Sequence, residues 1–391
     1  MNKDFLKYQA QTSPYPLGME VSHAKGSYIY DTDGNQHLDF VAGVSACTLG
    51  HCHPQVIEAI KTQVEKYMHV MVYGEYAQSP AIEYTKLLAD QLPTSLEVTY
   101  LVNSGTEAIE GALKLARRYT GRSEIIAAKS AYHGNTMGSL SLMDFEERKS
   151  VFRPLLPDVY HIKYNNEDDL EKNTTKSACV ILETIQGGAG FILPKNGYLK
   201  KVKERCSEVG ALLILDEIQP GFGRTGKLFA FEHYNCVPDI LVIGKGMASG
   251  LPVGAFTASK EIMHTLSENP KMGHITIFGG NPVIAASSLA TLNVLLNSSL
   301  IADTLKKEQL FKNLLKHPKI KEVRGKGLML ALIMDSPETA NELVLRAKDK
   351  HLILFWLLFE NRAVRISPPI TISELEIKEG CTIILALLNS M

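Results

Sequence analysis

Between about residue 98 and residue 258, short continuous apolar runs alternate with amphipathic stretches. The runs are Val98–Val102, Ile125–Ala128, Ala178–Leu182, Ala211–Leu215 and Ile240–Ile243. Runs this short, apolar throughout rather than alternating, suit parallel strands buried on both faces. Helical spacing fills the gaps: Glu107–Arg118 follows the first run and Tyr198–Val209 precedes the fourth. The pattern predicts an α/β fold whose large domain holds a mainly parallel sheet. Outside this region the character differs. Ser27-Tyr28-Ile29-Tyr30 before Asp31-Thr32-Asp33-Gly34 reads as a small hairpin. Val56, Ile57, Ile60 and Val64 share one helical face over residues 54–69, just after Pro54. A long helix over Ile284–Leu296 leads into further strands and helices, with Gly325–Ile333 read as a turn and then a strand. The expected division is 1–45 as the N-terminal segment of a smaller α+β domain, 46–285 as the large domain, and 286–391 as the C-terminal part of the small one.

Each of the five runs ends in residues suited to chemistry. The first ends in Asn103-Ser104-Gly105-Thr106-Glu107, and the second is followed by Tyr132-His133-Gly134. The third ends in Glu183, the fourth in Asp216 and the fifth in Lys245. In open parallel sheets ligands sit beyond the carboxyl ends of the strands, so five such endings point to one shared pocket. A lysine closing a buried run is costly unless it is paired or covalently engaged. A Schiff base with an aldehyde removes the isolated ammonium. Lys245 on an aldehyde and Asp216 on a pyridine nitrogen together suggest a pyridoxal-phosphate site, in which the acid keeps the ring an electron sink. Ser104-Gly105-Thr106 precedes a helix, whose free amides and positive dipole end suit a phosphate. Blander readings stand beside these. Ser104 and Glu107 have capping-box spacing, Asp216 is placed to cap the next turn or pair with Arg224, and Tyr132 is equally a half-buried loop tyrosine.

Composition narrows the field. The 391 residues are 45% hydrophobic and 21% charged, which is ordinary for a globular chain and enough for two domains. With 41 basic against 42 acidic residues there is no excess to neutralise a phosphate backbone, so no nucleic-acid partner is expected. The first residues lack an apolar core of signal-peptide length, and Leu352–Phe359 is too short to span a bilayer, which takes roughly 20 residues. A cytoplasmic protein without a membrane partner is expected. Six scattered cysteines fit free thiols. His51-Cys52-His53 does not converge readily on one ion, so no metal is expected.

The chain resembles class III aminotransferases, the ornithine, acetylornithine and 4-aminobutyrate group of fold type I pyridoxal-phosphate enzymes. The matching stretches include Leu49-Gly50-His51-Cys52-His53-Pro54, Asn103–Ala108, Asp216-Glu217-Ile218-Gln219, Gly223-Arg224-Thr225-Gly226, Gly244-Lys245-Gly246, Phe278-Gly279-Gly280-Asn281-Pro282 and Arg365-Ile366-Ser367-Pro368-Pro369. The resemblance implies a homodimer with shared active sites that moves an amino group from an ω-amine or amino acid, of ornithine or N-acetylornithine type, to an oxo acid such as 2-oxoglutarate or pyruvate. It implies Lys245 as the covalent and proton-moving residue and Asp216 on the pyridine nitrogen. Tyr132 and Ile218 would lie on opposite faces of the ring, with Gln219 near the phenolic oxygen. Gly105 and Thr106 would hold the phosphate, and Arg365 a substrate carboxylate, although a domain-interface salt bridge is the alternative for Arg365. His133 and Glu183 would stand near the ring without separable roles.

Three positions depart from the pattern. Gly188 stands where ornithine and acetylornithine enzymes usually carry a glutamate that masks the arginine matching Arg365. Asn135 replaces an arginine that forms a second carboxylate grip. Ile277 replaces the threonine that reaches the partner's phosphate, leaving Thr276 as the substitute. Racemase, decarboxylase and aminomutase chemistry, or a non-catalytic binding role, remain alternatives. The segment Gly221–Leu228 resembles a nucleotide-phosphate loop, but Leu228 stands where the magnesium-binding hydroxyl belongs.

Overall fold

The computed structural model describes residues 2–195 and 197–391. Strands β1 (Val21–Lys25), β2 (Tyr28–Asp31) and β3 (Gln36–Asp39) form an antiparallel meander. Asp31 closes its second turn by accepting the backbone N–H groups of Asp33 and Asn35 at 3.0 and 2.8 Å, the local bonding that favours aspartate in turns.

The large sheet holds β4 (Val98–Val102), β5 (Glu124–Ala128), β6 (Val159–Ile162), β7 (Ser177–Glu183), β8 (Leu212–Asp216), β9 (Ile240–Gly244) and β10 (Gly254–Ala258). Their order is β4-β10-β9-β8-β7-β5-β6. The pairs from β9 through β8, β7 and β5 to β6 are parallel, and β10 runs antiparallel between β4 and β9. All five apolar runs form strands. The sheet's other two strands have weaker signals. β6 is a half-exposed edge strand, and β10 is the low-propensity sequence Gly-Ala-Phe-Thr-Ala, stabilised by pairing on both sides and complete burial. The helix Gly105–Thr120 covers one sheet face with Ala108, Ala112, Leu115 and Ala116, and the helix Tyr198–Val209 covers the other with Leu199, Val202 and Cys206. The helix Pro54–Lys66 stops before residue 69. Its apolar stripe is only partly covered, with Val56 buried and Val64 39% exposed.

Toward the C-terminus come β11 (Ile320–Lys326), β12 (Met329–Met334), β13 (Leu352–Ile353), β14 (Phe355–Trp356) and β15 (Ala363–Ile366). Four of them form an antiparallel sheet in the order β11-β12-β15-β14. The fifth, β13, joins β3 in parallel, Leu352 opposite Leu38. The apolar run from Leu352 is thus divided between two sheets. Among the described residues no single helix is long and apolar enough to cross a membrane. All six cysteines are free thiols, and His51 Nε2 bonds Asp39 Oδ2 at 2.9 Å.

Candidate active site

The carboxyl ends of β4, β5, β7, β8 and β9 open onto one cavity of about 990 Å³, roofed by the segment from Phe355 to Leu358 and by Arg365. Lys245 lines it directly after β9, with φ +43°. A non-glycine residue in that left-handed region costs on the order of 1 kcal/mol. The turn that follows is held by close packing of Gly246 against Thr48. Burial pulls the Lys245 ammonium down to about 8, against the opposing pull of Asp216, so near neutrality a useful fraction is free amine.

Asp216 ends β8, in register with Glu183 at the end of β7. Its Oδ1 accepts the Ile218 N–H at 2.9 Å and its Oδ2 meets His133 Nδ1 at 2.8 Å. Asp216 therefore does cap the next turn, through one oxygen, but it does not pair with Arg224. The Arg224 Nη1 instead donates to the carbonyls of Leu328 and Pro368, so Gly221–Leu228 ties the large sheet to the C-terminal one. Burial alone would lower the His133 pKa, but the bond to Asp216 and the charges of Asp216 and Glu183 raise it. Glu183 is pushed up to about 7, first by burial, and it accepts the N–H groups of Gly187 and Tyr132 at 2.9 and 3.2 Å.

Ser104 caps the helix Gly105–Thr120, its Oγ accepting the Glu107 N–H at 3.3 Å. The reciprocal half of a capping box is not made. Glu107 turns instead to Asn103, accepting its N–H at 2.7 Å and its Nδ2 at 2.9 Å. The N–H groups of the helix's first turn have no carbonyl within the helix to receive them, and they border the cavity at Gly105 and Thr106. The Thr106 hydroxyl is already engaged, 2.8 Å from Thr136 Oγ1 and 2.7 Å from Ser139 Oγ. Gly105 lies against Ile218, where an added Cβ would stand 2.8 Å from Ile218 Cδ1.

Tyr132, Ile218 and Gln219 all line the cavity. Gln219 Nε2 reaches Ser45 Oγ at 3.3 Å. Ser45 belongs to a left-handed turn, Ala42 to Ser45, in which every φ is positive. Arg365 lies on β15, 5.5 Å over the Phe191 ring, with Nε and Nη1 buried and without hydrogen-bond partners. No interface salt bridge accounts for it, and the uncompensated guanidinium suits an anionic ligand group. Burial lowers its pKa to about 10, so it stays charged at neutral pH. His133 Nε2 is a further buried polar atom without a partner. Free amides at a glycine turn, an amine of lowered pKa, a fixed carboxylate and a free guanidinium together fit a phosphorylated aldehyde and a carboxylate substrate.

Thr276 is not brought to this cavity within one chain. It lines a separate surface depression with Thr99 and Tyr76, and its Oγ1 accepts the Gly279 N–H at 2.9 Å. Sequence reasoning missed Arg148, Phe355, Trp356 and Val44, which also line the cavity. Their segments carry no pattern that marks a site, and only the fold brings them to it.

Comparison with known proteins agrees with this geometry. A family profile described as Aminotransferase class-III matches residues 8–388. An acetylornithine aminotransferase of Methanopyrus kandleri is 37% identical over 378 residues, 96% of this chain and 95% of that protein. A [LysW]-aminoadipate semialdehyde/glutamate semialdehyde transaminase of Sulfolobus acidocaldarius is 38% identical over 321 residues, 81% of each. The crystal structure of the ornithine aminotransferase from Toxoplasma gondii ME49 superposes with a TM-score of 0.91 at 32% identity, covering 99% of this chain and 94% of that one. With the amine of Lys245 and the carboxylate of Asp216 at adjacent strand ends of this fold, the chain belongs to the class III aminotransferases.

Proposed function

We propose that this aminotransferase binds pyridoxal 5'-phosphate between Lys245 and Asp216, and carries an amino group from an N-acetylornithine- or ornithine-type donor to an oxo acid such as 2-oxoglutarate or pyruvate. The observation that carries the reading is the pair itself: both residues line one cavity from the ends of the adjacent strands β8 and β9. When bound, the cofactor supplies an aldehyde for covalent capture of the amine and a protonated ring that withdraws charge from the neighbouring carbon.

The chain's residues then have definite tasks. The free-amine fraction of Lys245 would accept the proton from the donor carbon and hold it for return. Asp216 would accept a hydrogen bond from the ring nitrogen, its orientation fixed by His133 and the Ile218 N–H. Tyr132 and Ile218, which line the cavity, would pack against the ring, and Gln219 would lie near its phenolic oxygen. The amides of Gly105 and Thr106, with Ser104 capping the turn, would hold the phosphate. Arg365 grips a substrate carboxylate, and Glu183 braces the Tyr132 loop through its backbone.

We also assign residues 1–45 and 286–391 to one small domain around the 46–285 domain, which the pairing of β3 with β13 supports. We further propose a homodimer. Met68, Ile277 and Phe278 are each more than half exposed, and the Asn281 Nδ2 to Met68 carbonyl bond joins their two segments. Such a patch suits a partner subunit, toward which Thr276 would present its free O–H.

The test is a panel of ω- and α-amines against pyruvate and 2-oxoglutarate, scored by formation of the new amino acid. N-acetylornithine or ornithine should lead the donors. Failure of every pair in a protein that holds the cofactor would overturn the reading.

A further inference from the structure

Resting on that functional reading, we infer that Arg148 is a second carboxylate anchor of the cavity, seated on Phe359, and that it selects substrates bearing a carboxylate at the end remote from the reacting carbon.

Arg148 lies in the short helix Glu146–Lys149, far in sequence from every strand end, yet it lines the cavity with Tyr132, Asn135, Gly188 and Arg365. Its guanidinium stands 5.7 Å from the centroid of the Phe359 ring. That ring stacks on Phe145, with centroids 4.3 Å apart and planes at 17°. A guanidinium over an aromatic face keeps its in-plane N–H donors free for an anion.

Gly188 makes the platform possible. The Phe359 N–H donates to the Gly188 carbonyl at 2.9 Å. A Cβ on residue 188 would stand 2.8 Å from Phe359 Cδ2. Any side chain there displaces the ring, and with it the support for Arg148. The two departures noted in the sequence, Gly188 and Asn135, are thereby linked. Asn135 supplies no charge and instead donates to the Tyr132 hydroxyl at 3.2 Å. Arg148 is near enough to draw the Tyr132 phenol pKa down against the larger effect of burial. The cation missing at 135 is restored from another element.

Among the described residues Arg148, itself exposed, forms no salt bridge; Glu147 beside it is exposed as well, and three other acids are engaged elsewhere. Glu146 pairs with Arg153 and Lys149, Glu360 with Arg362, and Glu183 with two backbone amides. Arg365 is unpaired in the same cavity. Two guanidinium groups lining one space, Arg365 buried and Arg148 exposed, favour a ligand with two negative ends.

The test uses holoenzyme and two unreactive probes, glutarate with two carboxylates and butyrate with one. Calorimetric titration should show the wild type preferring glutarate, and Arg148→Met should reduce that preference by about tenfold, the value of one charge-assisted bond. Phe359→Ala, which removes the platform and leaves the charge, should reduce it by a smaller factor. The ratio of the 2-oxoglutarate to the pyruvate KM should rise with Arg148→Met in step with the binding data. A wild type without glutarate preference, or an Arg148→Met variant that keeps it, overturns the inference. A holoenzyme that prefers glutarate through Arg148 but transaminates no amine supports the anchor while refuting the functional reading.

Discussion

His133 Nδ1 stands 2.8 Å from Asp216 Oδ2, and both residues are less than 5% exposed. The other Asp216 oxygen is held by the Ile218 N–H, so the carboxylate can neither rotate nor drift. The bond to Asp216 and the two neighbouring negative charges keep His133 protonated to higher pH than burial would allow. The expected consequence is a graded pair of variants. Asp216→Asn should slow proton removal by about 10²-fold or more, as loss of a preorganised charge does. His133→Asn, which retains a donor near Nδ1 but no charge, should cost about tenfold. Stopped-flow rates with a donor deuterated at the reacting carbon measure this, and an unchanged rate in Asp216→Asn would mean the ring nitrogen is held by another group.

Lys245 makes a prediction about pH. Burial disfavours its ammonium and lowers the pKa to about 8, while Asp216 pulls the other way. On the proposed function the neutral amine would be the nucleophile, so cofactor-free protein should capture pyridoxal phosphate faster as pH rises to about 8 and then level off. An exposed lysine, near 10.4, would keep accelerating well beyond that. Removing the Asp216 charge removes the influence that raises the pKa, so in Asp216→Asn the plateau should begin at lower pH. Lys245→Ala should abolish covalent capture and reduce turnover by at least about 10³-fold. Absorbance on mixing at a series of pH values checks the first two, and a wild-type profile still climbing at pH 10 would count against a buried amine.

Much of this site was legible in the chain because buried parallel strands are written as unbroken apolar runs, and a run ending in Asp216 or Lys245 marks its own carboxyl terminus. The helix expected over Ile284–Leu296 forms as Pro282–Leu296, and the helix Tyr198–Val209 was legible through its periodicity. β10 was not, because Gly254 and Ala255 carry little strand propensity and the strand depends on neighbours far away in sequence. Arg148 was not, because nothing local distinguishes it from a solvated helix charge. The capping alternative for Ser104 was half right, since Ser104 caps the helix and Glu107 does not answer it.

Arg365 should behave as a carboxylate grip with a geometric requirement. Among the described residues its Nε and Nη1 have no partner, and Phe191 supports the guanidinium. Arg365→Ala should raise KM for carboxylate donors by about 10- to 100-fold and affect amines without a carboxylate far less. Arg365→Lys should rescue little, because an ammonium cannot reproduce a planar two-point contact. Steady-state kinetics with a donor and its decarboxylated counterpart separate these outcomes, and equal losses on both would place the grip elsewhere.

Gly254, the first residue of β10, tests the phosphate turn without altering any polar side chain. A Cβ there would stand 3.0 Å from the Gly105 nitrogen and well inside contact with the Ser104 carbonyl, both of them backbone. The strand is paired on both sides, opposite Gly244 and Val102, so it cannot easily retreat, and the Ser104-Gly105 turn must move instead. Gly254→Ala should therefore destabilise the fold by about 1–3 kcal/mol, the usual cost of overpacking. It should also weaken pyridoxal phosphate far more than pyridoxal, since on the proposed function only the former would use the displaced amides. Thermal unfolding gives the first quantity and equilibrium binding of the two compounds the second. Equal weakening of both would show that the turn shapes the cavity without holding the phosphate.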